Sequence, residues 1–326
     1  MLLSPPGVSW WAMQAAPPPL PTSIVRGRYR VAELVGRGGV GAVYRALDLL
    51  TSEWVAVKQL VARAPGVRAR FERESRLLDN LRHASIPRSH GWFIEAGEPL
   101  LLMQFVPGLD LGERLAHRVR PFGVRTVLKW ASQLLEVLIY LHARGVVHHD
   151  VKPRNIKLDE AGRVVLLDFG LAREGCTDAI HDGPPGYTAA YSPPEQVVGA
   201  RTDARSDLYS VGATMYELLA LRSPPPALER VSAVRDGRSD PLLPLELRVP
   251  ASVAATVHAA LELEPNGRPL QARTMHAALR QALTQRRDGL DGESALEEIL
   301  SVLGRQCACS RIAGITGCPN AFRRRF

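Results

Sequence analysis

The sequence predicts an α+β protein in two lobes, a small sheet-rich lobe followed by a larger, mainly helical one. Three observations predict it. From Tyr29 the chain runs in short apolar stretches rich in β-branched residues and punctuated by glycine, the period-two signature of antiparallel strands. Beyond about residue 112 the apolar residues recur mostly at helical spacing. Between the two regions lies PGLDL, residues 107–111, which breaks both patterns and reads as a hinge. Strands first and helices second, rather than the two in alternation, argue against a parallel βαβ sheet.

The elements follow in order. YRVAELV, AVYRALD and WVAVKQL, all between Tyr29 and Leu60, read as three antiparallel strands. Residues 67–81, VRARFERESRLLDNL, switch to helical period with Phe71, Leu77, Leu78 and Leu81 as the apolar set. Further strands are expected near 91–95 and 100–105. Past the hinge, helices are expected at about 112–118, 124–143, 204–220, 251–263 and 272–284, interrupted by a strand-rich stretch at 146–170. Near the end, SALEEILSVL, 294–303, opens with a capping box from Ser294 to Glu297 and carries Leu296, Ile299, Leu300 and Leu303 on one face, a short amphipathic helix.

Composition excludes several classes. The chain has 326 residues, 46% hydrophobic and 23% charged, which is ordinary for a globular protein. Its net charge of +8 raises nucleic acid as a partner. Yet the basic residues are nearly all arginine, scattered except for Arg323-Arg324-Arg325, so no specific nucleic-acid role is expected. Only Lys58, Lys129, Lys152 and Lys157 are lysine. Where arginine is written almost everywhere, a lysine marks a place that needs a compact point charge rather than a planar fork. No apolar run is long enough to span a bilayer. The first residues lack a basic start and are broken by Pro5-Pro6 and Pro17-Pro18-Pro19, which fits a disordered leader or a misassigned start rather than a signal peptide. Four cysteines are too few for a disulfide framework and suit a reducing, cytoplasmic compartment.

Several motifs carry chemistry. GRGGVGAV places Gly36, Gly38 and Gly41 where backbone can approach a polyphosphate. A strand follows it rather than a helix, which disfavours a dinucleotide-binding fold and suits a flap at a hairpin tip. VAVKQL sets Lys58 mid-strand, where a buried ammonium needs an anionic partner, and Glu74 is the natural one. VVHHDVKPRN holds Asp150, Lys152 and Asn155 at fixed offsets, and Asp168 of DFG follows an apolar strand at residues 164–167. A carboxylate there is costly unless a cation such as Mg²⁺ meets it.

Taken in order, these motifs resemble those of protein kinases, most of all the soluble eukaryotic-type (Hanks-type) serine/threonine kinases of bacteria. The likeness runs from about Tyr29 to Leu283 and includes YSPPEQ, SDLYSVG and PNGRP. It implies a bilobal protein-kinase fold with one helix beside the small sheet. The expected organisation is a proline-rich disordered leader at 1–27, a kinase domain at 28–284 and a tail at 285–326. Within the domain the N-lobe is 28–104, the hinge 104–109 and the C-lobe 110–284.

The resemblance also implies roles. Gly36, Gly38 and Gly41 cover the phosphates of ATP. Lys58 contacts the α and β phosphates and pairs with Glu74. Val35, Val43 and Ala56 line the upper face of the adenine pocket, with Met103 at its back. The Gln104 carbonyl and the Val106 amide bond the adenine edge. Asp150 orients the hydroxyl of a protein substrate and takes its proton, while Lys152 steadies the γ-phosphate and favours serine or threonine. Asn155 and Asp168 hold Mg²⁺, for which Mn²⁺ can substitute. Thr188 bonds near Asp150, Asp207 braces the loop, Glu195 pairs with Arg268, and His148 packs beside Phe169 and Asp207.

The sequence also departs from the family pattern. His149 stands where arginine commonly binds a phosphorylated residue of the activation segment. That segment has few hydroxyls, Thr177 chief among them, so loop phosphorylation is not expected to be required. A protonated His149 has Asp178 and Asp182 as candidate partners. Pro193 replaces the alanine of A-P-E. Lys157 stands at the adenine floor, where its stem can serve if the ammonium snorkels outward. Ser89 and His90 are polar where an internal apolar column is usual. With His149, Ser89 favours the alternative reading, a pseudokinase scaffold. Cys307, Cys309 and Cys318 admit zinc, free thiols in an unstructured end, or a truncated or frameshifted terminus.

Overall fold

The structure, a computed structural model, describes residues 24–37, 41–61, 66–169, 173–174, 188–245 and 249–285. The chain divides into two compact units, Met1–Leu279 and Arg280–Phe326. Of the second, only the end of a helix, 280–285, is described. The expected helix at 294–303, the three C-terminal cysteines, Cys176, Thr177, Asp178, Asp182 and Gly38 lie outside the described residues.

The first part of the chain forms strands β1 (Ile24–Val25), β2 (Tyr29–Arg37), β3 (Gly41–Asp48) and β4 (Trp54–Leu60), helix α1 (Val67–Asn80), then β5 (Ser89–Glu95) and β6 (Glu98–Gln104). The six strands make one antiparallel sheet in the order β1-β2-β3-β4-β6-β5. Alternation sorts its side chains. Ala42, Tyr44, Ala46, Val55, Val57, Leu100 and Leu102 fall on one face and close a buried cluster with Val25 and Tyr29. Cross-strand pairing puts Val43 opposite Lys58, Lys58 opposite Leu101 and Ala56 opposite Met103 on the other face. Helix α1 buries Phe71, Glu74, Ser75, Leu77 and Leu78, and it packs mainly against β5.

β1 lies just ahead of residue 28, where the domain is expected to begin. Ile24 and Val25 pair with Arg30 and Tyr29, and Val25 is fully buried. The loop between them is Arg26–Gly27–Arg28, with Arg26 and Gly27 at positive φ and the Arg28 amide donating to the Val25 carbonyl at 3.1 Å. An arginine in that first turn position hid the hairpin from sequence reading.

The second lobe begins at α2 (Leu111–Ala116), whose start is fixed by a reciprocal capping box between Asp110 and Glu113. It continues with α3 (Val124–His142), β7 (Val146–Val147), β8 (Ile156–Leu158), β9 (Val164–Leu166) and β10 (Arg173–Glu174). Then come α4 (Pro194–Val197), α5 (Ala204–Ala220), α6 (Ala227–Arg235), α7 (Ala251–Ala260) and α8 (Ala272–Gln285). The fold is thus α+β and bilobal, as expected. Helices α4 and α6 were not foreseen, because each is short and proline-flanked with little amphipathic period. Helix α5 is the buried axis of this lobe, with thirteen of its seventeen residues buried. A Cβ on Gly212 would stand 2.9 Å from the Ala260 Cβ, so glycine there permits the close α5–α7 approach. Among the described residues no helix is long and apolar enough to cross a membrane.

Candidate active site

Lys58 is held on β4 with its side chain only 14% exposed. Its ammonium lies 2.6 Å from Glu74 Oε1 and 3.0 Å from Asp168 Oδ1. Burial alone would lower the lysine, but the Asp168 and Glu74 carboxylates outweigh it and hold Lys58 above its ordinary range. One ammonium therefore ties the sheet, helix α1 and the segment after β9 together. Two glycines of the expected phosphate flap are described, and they differ. Gly36 faces open space, whereas a Cβ on Gly41 would stand 2.3 Å from the Gln59 carbonyl oxygen. Gly41 is thus required by its neighbouring strand, whatever lies in the cleft.

The loop after β7 brings together Asp150, Lys152 and Asn155. Lys152 Nζ donates to both Asp150 oxygens at 2.8 Å and to Thr188 Oγ1 at 3.0 Å. Asn155 Nδ2 donates to the Asp150 carbonyl and to its Oδ2, both at 2.8 Å. Burial pushes the Asp150 carboxyl up to about 6, with the Lys152 ammonium pulling the other way. Pro153–Asn155 form a 3-10 turn, and the Leu167 amide donates to the Asn155 carbonyl at 2.7 Å, which ties this loop to the end of β9 just before Asp168. The amide of Asn155 and the carboxylate of Asp168 are hard oxygen donors. They fit a Mg²⁺ ion, which would take its remaining ligands from phosphate and water.

Asp207, wholly buried at the start of α5, braces this loop from below. It accepts from the backbone amides of His148 and His149 at 2.9 and 2.8 Å, and its Oδ2 lies 2.8 Å from His142 Nε2. Burial opposes the charge, yet the His142 bond and the nearby histidines hold its pKa down to about 2. His148 packs edge-on against Phe169, with centroids 4.8 Å apart. Its Nδ1 receives the Asp150 amide and its Nε2 faces the Leu167 carbonyl, which assigns the proton to Nε2. Burial lowers this ring to about 4, so it stays neutral. Two non-glycine residues of the site, His149 and Asp168, have positive φ, and such strain gathers at functional loops.

At the back of the cleft, Ala56 and Val106 are buried, Val43 and Met103 half-buried and Gln104 exposed. Val35 sits at a bulge in β2 and is 42% exposed. Lys157 corrects an expectation. Its ammonium does not snorkel outward but donates to the Val106 carbonyl at 3.1 Å, with the Phe105 ring 5.9 Å away. A half-buried ammonium needs an acceptor, and the hinge backbone supplies one.

The other departures are also accommodated. Ser89 is buried, but its hydroxyl donates to Asp79 and accepts the Gly91 amide. His90 lies exposed beside the bulge between Ser89 and Gly91. His149 is buried, with Nε2 2.8 Å from Thr202 Oγ1 and its carbonyl receiving Gln196 Nε2 at 2.8 Å. Arg268 makes a two-pronged pair with Glu195, at 2.7 and 2.9 Å. Pro193 occupies the N-cap of α4. His142, Thr202, Gln196 and the Tyr191–Glu217 pair were not singled out from sequence. Only the C-terminal place of His142 on a predicted helix hinted at a partner.

A small antiparallel sheet with one helix, set over a helical lobe and joined to it through Lys58 and Asp168, is the architecture of a bilobal kinase. Residues 29–279 match the family model described as protein kinase domain. The chain belongs to the protein kinase family, among the eukaryotic-type kinases of bacteria. It is 39% identical over 209 residues to a probable serine/threonine-protein kinase of Streptomyces coelicolor, covering 61% of this chain and 31% of that protein. It is 33% identical to the serine/threonine-protein kinase pkn3 of Myxococcus xanthus, over 87% of this chain and 55% of the relative. With the serine/threonine-protein kinase PknB of Mycobacterium leprae it shares 32% identity, over 90% and 48% respectively. The chain thus spans about a third to about half the length of these curated relatives.

Proposed function

We propose that this protein is an ATP-dependent serine/threonine protein kinase acting in the cytoplasm. The observation that carries the proposal is the Asp150–Lys152–Thr188 constellation, with Asn155 locked against Asp150, opposite the Lys58–Glu74 pair. Asp150 accepts the proton of a substrate hydroxyl, whose oxygen attacks the γ-phosphorus as the bond to the β–γ bridging oxygen breaks and ADP leaves. Lys152 steadies the transferred phosphoryl group, and Lys58 holds the α and β phosphates. Gly36, Gly38 and Gly41 close over them, and Val35, Val43, Ala56, Met103, Gln104 and Val106 take adenine. Asn155 and Asp168 would hold Mg²⁺ or Mn²⁺, whose contribution is to neutralise phosphate charge.

Activation-segment phosphorylation is not required in this reading. His149 replaces the arginine that would receive a phosphate, and its ring already meets Thr202. The polar residues that favoured a pseudokinase, Ser89 and His149, both have hydrogen-bond partners within the fold. Transfer of label from ATP with Mg²⁺ to a panel of protein substrates tests the enzyme. Wild type matching Asp150→Asn would refute it. A loss of more than about tenfold in Thr177→Ala would refute the regulatory part.

A further inference from the structure

A cavity of about 620 Å³ opens beside Lys152 and Thr188. Those two side chains flank Asp150, where the acceptor hydroxyl sits in the function proposed above, so a polypeptide presenting that hydroxyl must run through this space. Among the described residues its charged lining is Arg118, Arg154 and Lys152, the last already paired with Asp150, against one carboxylate, Glu217. That carboxylate keeps its charge, but both of its oxygens already accept hydroxyl donors. It accepts the Tyr191 hydroxyl on Oε2 and the Ser223 hydroxyl on Oε1 at 2.6 Å.

The two arginines keep their charge available. Arg154 is exposed, and among the described residues no hydrogen bond or ion pair holds its guanidinium. Its stem lies over the start of α2, where a Cβ on Gly112 would stand 2.6 Å from Arg154 Cγ. The Asp110 carboxylate near it accepts the Glu113 amide at 2.8 Å and feels the Arg154 charge at longer range. Among the described residues Arg118 bonds neutral partners, the carbonyls of Arg120 at 3.0 Å and Pro121 at 3.4 Å, and stacks on Phe122 at 4.0 Å. A basic substrate segment would meet like charge here, and an acidic one would find two guanidinium groups.

We infer that this groove selects protein segments with Asp or Glu beside the accepting serine or threonine, read by Arg154 and Arg118. The inference rests on the proposed kinase function, but binding tests it without any transfer. Two labelled peptides, one serine flanked by glutamates and the other by lysines, are titrated with the full-length protein at low salt and followed by anisotropy. The acidic peptide should bind about tenfold tighter, the worth of two partly exposed charge pairs. The double variant Arg118→Glu, Arg154→Glu should abolish or invert that preference while unfolding at the wild-type temperature. Equal binding, a basic preference or no measurable binding of either peptide overturns the inference. So does an acidic preference that survives the double variant. Failure of phosphate transfer with the acidic preference intact overturns the kinase function instead.

Discussion

Replacing Asp207 with asparagine exchanges one oxygen for an NH₂ group and should loosen the loop at His148–Asn155. The carboxylate receives three donors: the His149 amide on Oδ1, and the His148 amide and His142 Nε2 on Oδ2. An amide offers one oxygen. If that oxygen takes the Oδ2 place, the NH₂ group faces the His149 amide, donor against donor, in a wholly buried site. An unsatisfied buried donor costs about 1–3 kcal/mol, and the two surviving bonds lose their charge assistance. A total of about 3 kcal/mol follows. A second route agrees: holding the carboxyl at about 2 rather than 3.8 corresponds to about 2 kcal/mol in favour of the charged form. For a domain of this size the unfolding midpoint should fall by about 6 °C. The sign also fixes a pH signature. A depressed folded pKa stabilises above the unfolded value and is lost as pH falls through the folded one. The gap between wild type and variant should therefore narrow from pH 4 towards pH 2. Thermal unfolding followed by circular dichroism across pH measures both. A midpoint within about 2 °C of wild type at pH 7 would refute the bracing role.

Lys58→Arg keeps the charge but puts a longer planar fork where Nζ now lies 2.6 Å from Glu74 and 3.0 Å from Asp168. Transfer should fall about a hundredfold, and robust activity would sink the assignment of Lys58. Asp150, pushed up to about 6, must be ionised to accept a proton, so kcat/KM should drop below pH 6 by about tenfold per pH unit. A flat profile from pH 5 to 8 contradicts its role as base. Lys157→Met keeps an apolar stem at the proposed adenine floor and loses one bond to the Val106 carbonyl. ATP affinity measured by calorimetry should change by no more than about fivefold, and loss of binding would show that the ammonium itself is needed.

The strand and helix periods were legible because burial of one face writes itself into nearby residues. The five main strands of the small sheet and helices α1, α3 and α5 follow their expected spans closely. The short elements were not legible. β1 depends on an Arg26–Gly27 turn at positive φ, and α4 and α6 are held by packing rather than by a periodic apolar stripe.

The site divides along the same line. Asp150, Lys152 and Asn155 could be singled out from sequence because they stand at fixed offsets in one short loop, where Lys152 and Asn155 both donate to Asp150. What meets them could not. Lys58 and Asp168 are 110 residues apart, Arg268 and Glu195 73, and Asp207 reaches back about sixty residues to the histidine amides. The direction of Lys157, the Asp79 partner of Ser89 and the raised pKa of Asp150 likewise depend on which groups lie close in space and how much water is excluded. Short-range spacing determined which chemistry this chain carries. Tertiary packing decided which charges are paired, which are desolvated and which, like Arg154, still face the groove, because Coulomb energies depend on distance and local dielectric rather than on sequence separation.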